Sequence, residues 1–184
     1  MGVDNRNVIL IEYLKCNSGL AWSITGNILV VDSVGNRVRQ VILPDAVVCL
    51  MIIKVTLYVD LFPIQIVRVV QVTTLAGSST GYSDGPAASA QFNYPRGLVT
   101  DSGGNAFVVD QYNSRVRRID WLNGQVTTVA GSGLALELDG IGLAASLNYP
   151  NGVIMLNGSL YVSDYYGGTV RLIGMCEVMC VTPK

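Results

Sequence analysis

Carboxylates and arginines recur at a fixed spacing in this sequence, in the pattern D-x4-R-V-R. The pattern occupies residues 32–39 and 110–117, and residues 164–171 repeat it with Thr169 in place of the first arginine. Such a cluster could bind a charged ligand. An aspartate that ends one strand and an arginine that begins the next can also pair across a hairpin and satisfy turn amides. Because the third copy is incomplete, we interpret the pattern as structural.

Two Asp-Gly dipeptides, at residues 84–85 and 139–140, could belong to metal-binding loops. A calcium loop supplies several oxygen ligands at short spacing. Here each loop offers one aspartate, and only the second adds a further carboxylate, Glu137. We therefore predict turns and no metal site at these positions.

The sequence contains no histidine. This absence excludes Ser-His-Asp and Cys-His catalysis and histidine-ligated metals. The four cysteines are Cys16, Cys49, Cys176 and Cys180. The last two could form a disulfide or half of a metal site, but free thiols are favoured because no second ligand pair exists. We predict no catalytic residue, no metal and no cofactor, and we expect that the protein is not an enzyme.

Composition narrows the classes of partner. Half of the 184 residues are apolar and 14% are charged, with a net charge of −1, so no overall positive field favours nucleic acid. The longest apolar region, residues 46–70, is interrupted by Lys54, Asp60, Pro63 and Arg68. A spanning helix needs about 20 mostly apolar residues with few or no charges, and we predict no membrane span.

The chain repeats itself. VTTLAGSS at residues 72–79 returns as VTTVAGSG at 126–133, a shift of 126 − 72 = 54 residues. A third copy lies upstream, because residues 19–39 align with 97–117 without a gap. That first copy carries 24 extra residues, roughly 44–67, before its VTT phrase. Repetition of this kind is typical of units that bury their cores by stacking.

Each copy reads as short strands separated by turns. In the middle copy, residues 97–100 and 106–110 flank a DSGGN turn, and 115–119 alternates arginines with apolar residues. Asn123-Gly124 is a strong hairpin signal that leads into the strand at 126–131. We predict an all-β fold, a β-propeller-like array of four-stranded antiparallel blades that forms an incomplete ring.

In combination, these motifs resemble the NHL repeat. The order is TTLAG, then DG, F-x-Y-P-x-G, GN-x-x-V-V-D and N-x-R-V-R, and the resemblance covers about 19–39 and 72–173. It implies a propeller, commonly of six blades, that acts mainly as a binding platform. Relatives include RNA-binding and protein-binding domains and the lyase half of a peptide-amidating enzyme. That lyase chemistry uses histidine-bound zinc, which a chain without histidine cannot supply.

We therefore predict one NHL-type propeller segment over residues 1–184. Blade 1 covers about 19–77 with the insert at about 44–67, blade 2 about 97–131, and blade 3 about 152–184. In blade 3 the last strand is degenerate, because GMCEVMCVTPK stands where a TTLAG phrase belongs. We expect a fragment of a larger propeller or a partial gene model, with self-association through open blade edges as the alternative.

Propeller topology places the loop before the first strand and the loop between strands two and three on one face. These loops collect tyrosines, amides and arginines, which together suit contacts with peptide, sugar or single-stranded RNA. The alternative is a merely solvated surface. The candidate binding residues are Tyr82, Tyr94, Arg96, Gln111, Tyr112, Arg115, Tyr149, Asn151, Tyr165 and Tyr166.

The function predicted from the sequence is a non-enzymatic binding or scaffold module that takes a protein or peptide through this loop face. Single-stranded RNA is the alternative ligand, and the net charge of −1 disfavours it. A lyase of the NHL type is the least favoured of the three.

Overall fold

The computed structural model describes residues 17–42 and 71–174 of the chain. Within these ranges it contains β-strands and two single-turn 3₁₀ segments, and no helix there is long and apolar enough to cross a membrane. The predicted insert at 44–67 and all four cysteines lie outside the described residues.

The strands follow one another in chain order. Their bounds are β1 Asn17–Trp22, β2 Ile28–Asp32, β3 Arg37–Ile42, β4 Gln71–Ala76, β5 Gly85–Pro86, β6 Pro95–Thr100, β7 Ala106–Asp110, β8 Arg115–Ile119, β9 Gln125–Ala130, β10 Pro150–Leu156, β11 Ser159–Asp164 and β12 Thr169–Gly174. The 3₁₀ segments are Gln111–Asn113 and Gly142–Ala144.

Three antiparallel sheets are built from these strands. The first sheet has the order β1-β2-β3-β4, the second β5-β9-β8-β7-β6 and the third β10-β11-β12. The predicted all-β, propeller-like array of antiparallel blades is confirmed. The two-residue strand β5 was not predicted from the sequence. It lies in the loop before β6, joins the second sheet and pairs with β9. The assignment of residues 1–184 to a single domain stays a prediction.

Local sequence explains the hairpins. Gly124 has a φ of 59°, a conformation that glycine adopts without strain. The neighbouring Asp120 carboxylate accepts the backbone N–H groups of Leu122 and Asn123 at 3.0 and 2.9 Å. The Asn-Gly signal therefore predicts the β8–β9 turn correctly.

The second sheet is the centre of the core. One cluster of buried residues joins it to the first sheet and includes Leu29, Val31 and Phe92. The other joins it to the third sheet and includes Phe107, Val109 and Leu160. Because both of its faces are covered, all five residues of β7 are buried.

Candidate functional site

Two tyrosines hold an uncommon backbone conformation just before the first long strand of their sheets. Tyr94 precedes Pro95 and Tyr149 precedes Pro150, and their φ angles are 54° and 53°. Left-handed backbone costs a bulky residue about 1–3 kcal/mol, so surrounding contacts must impose it. One such contact is visible at Tyr94, whose N–H donates to Asn36 Oδ1 at 2.6 Å. The loops are thus held in a defined shape.

The tyrosine rings form a continuous row across two sheets. Tyr94 stacks on Tyr112 with centroids 4.8 Å apart, and Tyr112 meets Tyr149 edge-on at 5.9 Å. Tyr149 contacts Tyr166 at 5.1 Å, and Tyr166 contacts Tyr165 at 5.0 Å. Such geometries are the ones that aromatic pairs prefer. We call these five residues the tyrosine row.

A cleft of about 890 Å³ opens along this row. Its lining consists of phenols, amides and one guanidinium, and we call it the tyrosine cleft. The lining residues are Asn93, Arg96, Gln111, Tyr112, Tyr149, Asn151, Tyr165 and Tyr166. Arg96 lies over the Tyr94 ring at 4.7 Å, which couples this cation to the tyrosine row. No carboxylate is among these lining residues.

Most of the residues predicted from the sequence come together here. Seven of them line the cleft: Arg96, Gln111, Tyr112, Tyr149, Asn151, Tyr165 and Tyr166. Tyr94 adjoins it through its stack on Tyr112. Asn93, absent from the candidate residues, also lines it. It stands directly before the Tyr-Pro pair, in a loop that the sequence already placed on this face.

Tyr82 and Arg115 are placed apart from the cleft. The Arg115 guanidinium lies 3.7 Å from the centre of the Tyr82 ring. It also donates to the carbonyls of Asn113 and Ser132 at 3.0 and 2.9 Å. Arg117 approaches the same ring at 4.9 Å. The structure therefore brings these two candidates to each other rather than to the tyrosine row.

The repeated aspartates and arginines form buried ion networks. Arg117, fully buried, donates to Asp110 Oδ2 at 2.8 Å and to Asp84 Oδ1 at 2.6 Å. It also donates to the carbonyls of Ser83 and Gln91. The ion-pair partner of Asp110 is therefore Arg117, the second arginine of R-V-R. The first arginine, Arg115, donates to backbone carbonyls instead. The Asp-Gly aspartate completes the network.

The third copy repeats this arrangement around Arg171. Its guanidinium donates to Asp164 Oδ2 at 3.2 Å and to Asp139 Oδ1 at 2.7 Å. Burial raises the pKa of Asp110 and of Asp164 above the usual value for aspartate. Among the residues described here, no three His, Cys, Asp or Glu side chains come close enough to hold a metal ion. These carboxylates are occupied in joining strands.

Comparison with known proteins bears on this geometry. Residues 92–119 match the NHL repeat family. The chain contains an NHL repeat. The matched segment supplies one side of the tyrosine cleft, from Asn93 through Tyr112, together with the buried Arg117.

The chain is also similar to longer proteins. It is 32% identical over 96 residues to the Arabidopsis thaliana protein SUPPRESSOR OF QUENCHING 1, chloroplastic. The aligned residues are 52% of this chain and 9% of that protein. Among solved structures, a Bacteroides thetaiotaomicron protein of unknown function matches with a TM-score of 0.66 and 24% identity, over 83% of this chain and 34% of that one.

An auxiliary nutrient binding protein from the same bacterium matches with a TM-score of 0.63 and 17% identity. That match covers 84% of this chain and 36% of the other. These likenesses show the fold. The chain spans about a third of these structures and less than a tenth of the plant protein.

Proposed function

We propose that this NHL-repeat segment is a non-enzymatic binding module and that its tyrosine cleft holds an extended segment of a protein or peptide. The observation that carries the proposal is the tyrosine row, with four contacts in sequence between five rings. A row this long presents a ribbon-shaped aromatic surface rather than a pocket for one small ring.

The chemistry of the lining suits a polypeptide. Tyrosine supplies a large contact area with a polar end at low cost in side-chain entropy. The amides of Asn93, Gln111 and Asn151 can each donate to a peptide carbonyl and accept from a peptide N–H. Arg96 adds one cation, which can pair with a carboxylate of the ligand. Tyr112, Tyr165 and Tyr166 are 54%, 64% and 68% exposed, so their rings are accessible.

Two observations support a binding role over a catalytic one. No carboxylate is found among the described residues that line the cleft, and the sequence contains no histidine. General acid–base and nucleophilic catalysis draw mainly on those side chains. The aspartates at the repeated positions, Asp110 and Asp164, are paired with Arg117 and Arg171. Neither is among the residues that line the cleft.

Single-stranded RNA is the second candidate, since bases stack on tyrosine. Of the described residues that line the cleft, one is an arginine, and the chain has a net charge of −1. Affinity for RNA depends on the number of phosphates that are neutralised. We therefore expect RNA to bind more weakly than a peptide.

The test is selection of a random ten-residue peptide library displayed on phage, followed by titration of the enriched peptide against purified variants. We expect Tyr149→Ala and Tyr166→Ala to weaken binding about tenfold or more, in line with loss of a well-placed aromatic contact. Tyr82→Ala is the matched control because Tyr82 lies outside the cleft, and it should bind as the wild type does.

A second titration uses a ten-residue oligouridine in a filter-binding assay. Binding to oligouridine at micromolar protein that falls with added salt, without peptide enrichment, would replace the peptide by RNA. A selected peptide that binds equally well to Tyr149→Ala would show that the tyrosine cleft is not the site.

A further inference from the structure

The second sheet contains a strand that the third sheet, over its described residues, lacks. In the second sheet β9 lies between β8 and β5. Its Val126 and Ala130 are 0% and 2% exposed and face the core. The Thr128 N–H donates to Asp84 Oδ2 at 3.1 Å. The strand is therefore held by a neighbour on each side, by an apolar floor and by the Asp-Gly aspartate.

The third sheet has equivalents of the strand and of the Asp-Gly loop that flank β9 in the second sheet, with a groove between them. Arg171 of β12 corresponds to Arg117 of β8, since 171 − 117 = 54, and Asp139 corresponds to Asp84, since 139 − 84 = 55. Between these two elements lies a groove of about 610 Å³. We call it the edge slot. It is lined by residues 170–174 on one side and 139–142 on the other, with Val129, Ala130, Ala145 and Leu147 as well.

Groups that β9 engages in the second sheet are exposed at the edge slot. Asp84 has 39% of its side chain exposed, whereas the Asp139 side chain is fully exposed. In the described part of the chain β12 pairs with β11 alone, and an unpaired strand edge presents backbone donors and acceptors.

We propose that the edge slot binds an extended strand from another polypeptide, with the alternation of β9. The strand pairs antiparallel with β12, as β9 pairs with β8. An apolar residue of about valine size faces the floor, where Val126 lies in the second sheet. A backbone N–H of the strand donates to Asp139, as Thr128 donates to Asp84. This site is separate from the tyrosine cleft and does not depend on the function proposed there.

A strand fits this slot better than a compact ligand does. The groove runs along an unpaired strand edge, and main-chain hydrogen bonds at such an edge supply affinity while side-chain pockets select sequence. The occupant of the same frame in the second sheet is itself a six-residue strand, QVTTVA. Proline is excluded at positions whose N–H must pair with β12.

The test uses a fluorescein-labelled peptide with the sequence of residues 125–131, QVTTVAG, titrated with the full chain and followed by fluorescence anisotropy. We expect saturable binding. Ala145→Phe, which fills the floor, and Asp139→Ala, which removes the acceptor, should each weaken it about tenfold. Asp139 is fully exposed, so its removal leaves the fold in place.

The controls separate this site from others. Leu122→Ser changes an exposed residue outside the slot and should leave binding unchanged, as should Tyr149→Ala in the tyrosine cleft. A peptide with aspartate at the position of Val126 should not bind. The tyrosine cleft is tested with the selected peptide and the edge slot with QVTTVAG. Failure of one proposal therefore leaves the other intact.

Three results would overturn the proposal. The first is the absence of binding to the full chain. The second is binding only after removal of residues 175–184, which would assign the slot to the chain's own end. The third is concentration-dependent association of the chain without peptide binding, which would assign the slot to a second copy.

Discussion

The second and third sheets are the same repeated unit in two different surroundings. The second sheet has a neighbour on each face, and all five residues of β7 and three of the five residues of β8 are buried. The third sheet packs on one side only within the described residues. Its β11 alternates buried and intermediate residues, and no residue of β12 is buried.

Equivalent positions show what the difference depends on. Val116 is fully buried and Val170, at 170 − 116 = 54 residues further on, is 69% exposed. The residue type is the same, so the neighbouring sheet and not the side chain decides its burial. Stability in stacked repeats is a sum of the units and the interfaces between them. The two sheets therefore allow the interface contribution to be measured separately.

The largest contrast is expected at the ion networks. Arg117→Met leaves the fully buried Asp110 without its cation, and breaking a buried pair in this way costs about 3–5 kcal/mol. Arg171→Met should cost less than Arg117→Met, because Arg171 is 14% exposed and its second partner Asp139 is fully exposed, although its first partner Asp164 is buried as Asp110 is. Urea unfolding of both variants gives the two losses in the free energy of unfolding.

Equal losses at Arg117 and Arg171 would show that burial by the neighbouring sheet does not set the strength of the network. Arg117→Lys serves as a second variant in case Arg117→Met does not fold. It retains the charge but loses the forked donor geometry, and it should fall between wild type and Arg117→Met.

A second contrast compares core side chains. Phe107 is 1% exposed and packs between the second and third sheets, while Tyr161 occupies the equivalent position 161 − 107 = 54 residues further on and is only partly buried. Phe107→Ala should cost about 3–5 kcal/mol, as buried phenylalanines do. Tyr161→Ala should cost about 1 kcal/mol. Thermal melts followed by circular dichroism compare the two, and a larger loss at Tyr161 would reverse the assignment of covered and open faces.

Much of this contrast could be foreseen from the sequence, because strand positions follow from the repeat and from its period-two alternation. The tyrosine cleft could also be predicted from the sequence, because propeller topology places the Tyr-Pro loops beside the loops after β7 and β11. The pairing of Arg117 with Asp84 was not, because those residues are 33 positions apart and meet only when β5 joins β9. That same attachment gives Tyr82 a hydrogen-bonding partner on β9, Thr128, and Tyr82 does not line the cleft.

The smallest contrast concerns the two Asp-Gly aspartates. Asp84 accepts hydrogen bonds from Arg117 and from both the N–H and the hydroxyl of Thr128. Of the equivalent contacts in the third sheet, Asp139 makes the one with Arg171. Asp84→Ala should therefore cost about 1.5–3 kcal/mol, the range for hydrogen bonds to charged groups. Asp139→Ala should cost less than Asp84→Ala, because the Asp139 side chain is fully exposed. If a strand occupies the edge slot, Asp139 gains the acceptor role of Asp84, and saturating QVTTVAG peptide should raise the melting temperature of the wild type more than that of Asp139→Ala. An equal rise in both proteins would mean that the aspartate of the third sheet stays a surface group even when the slot is filled.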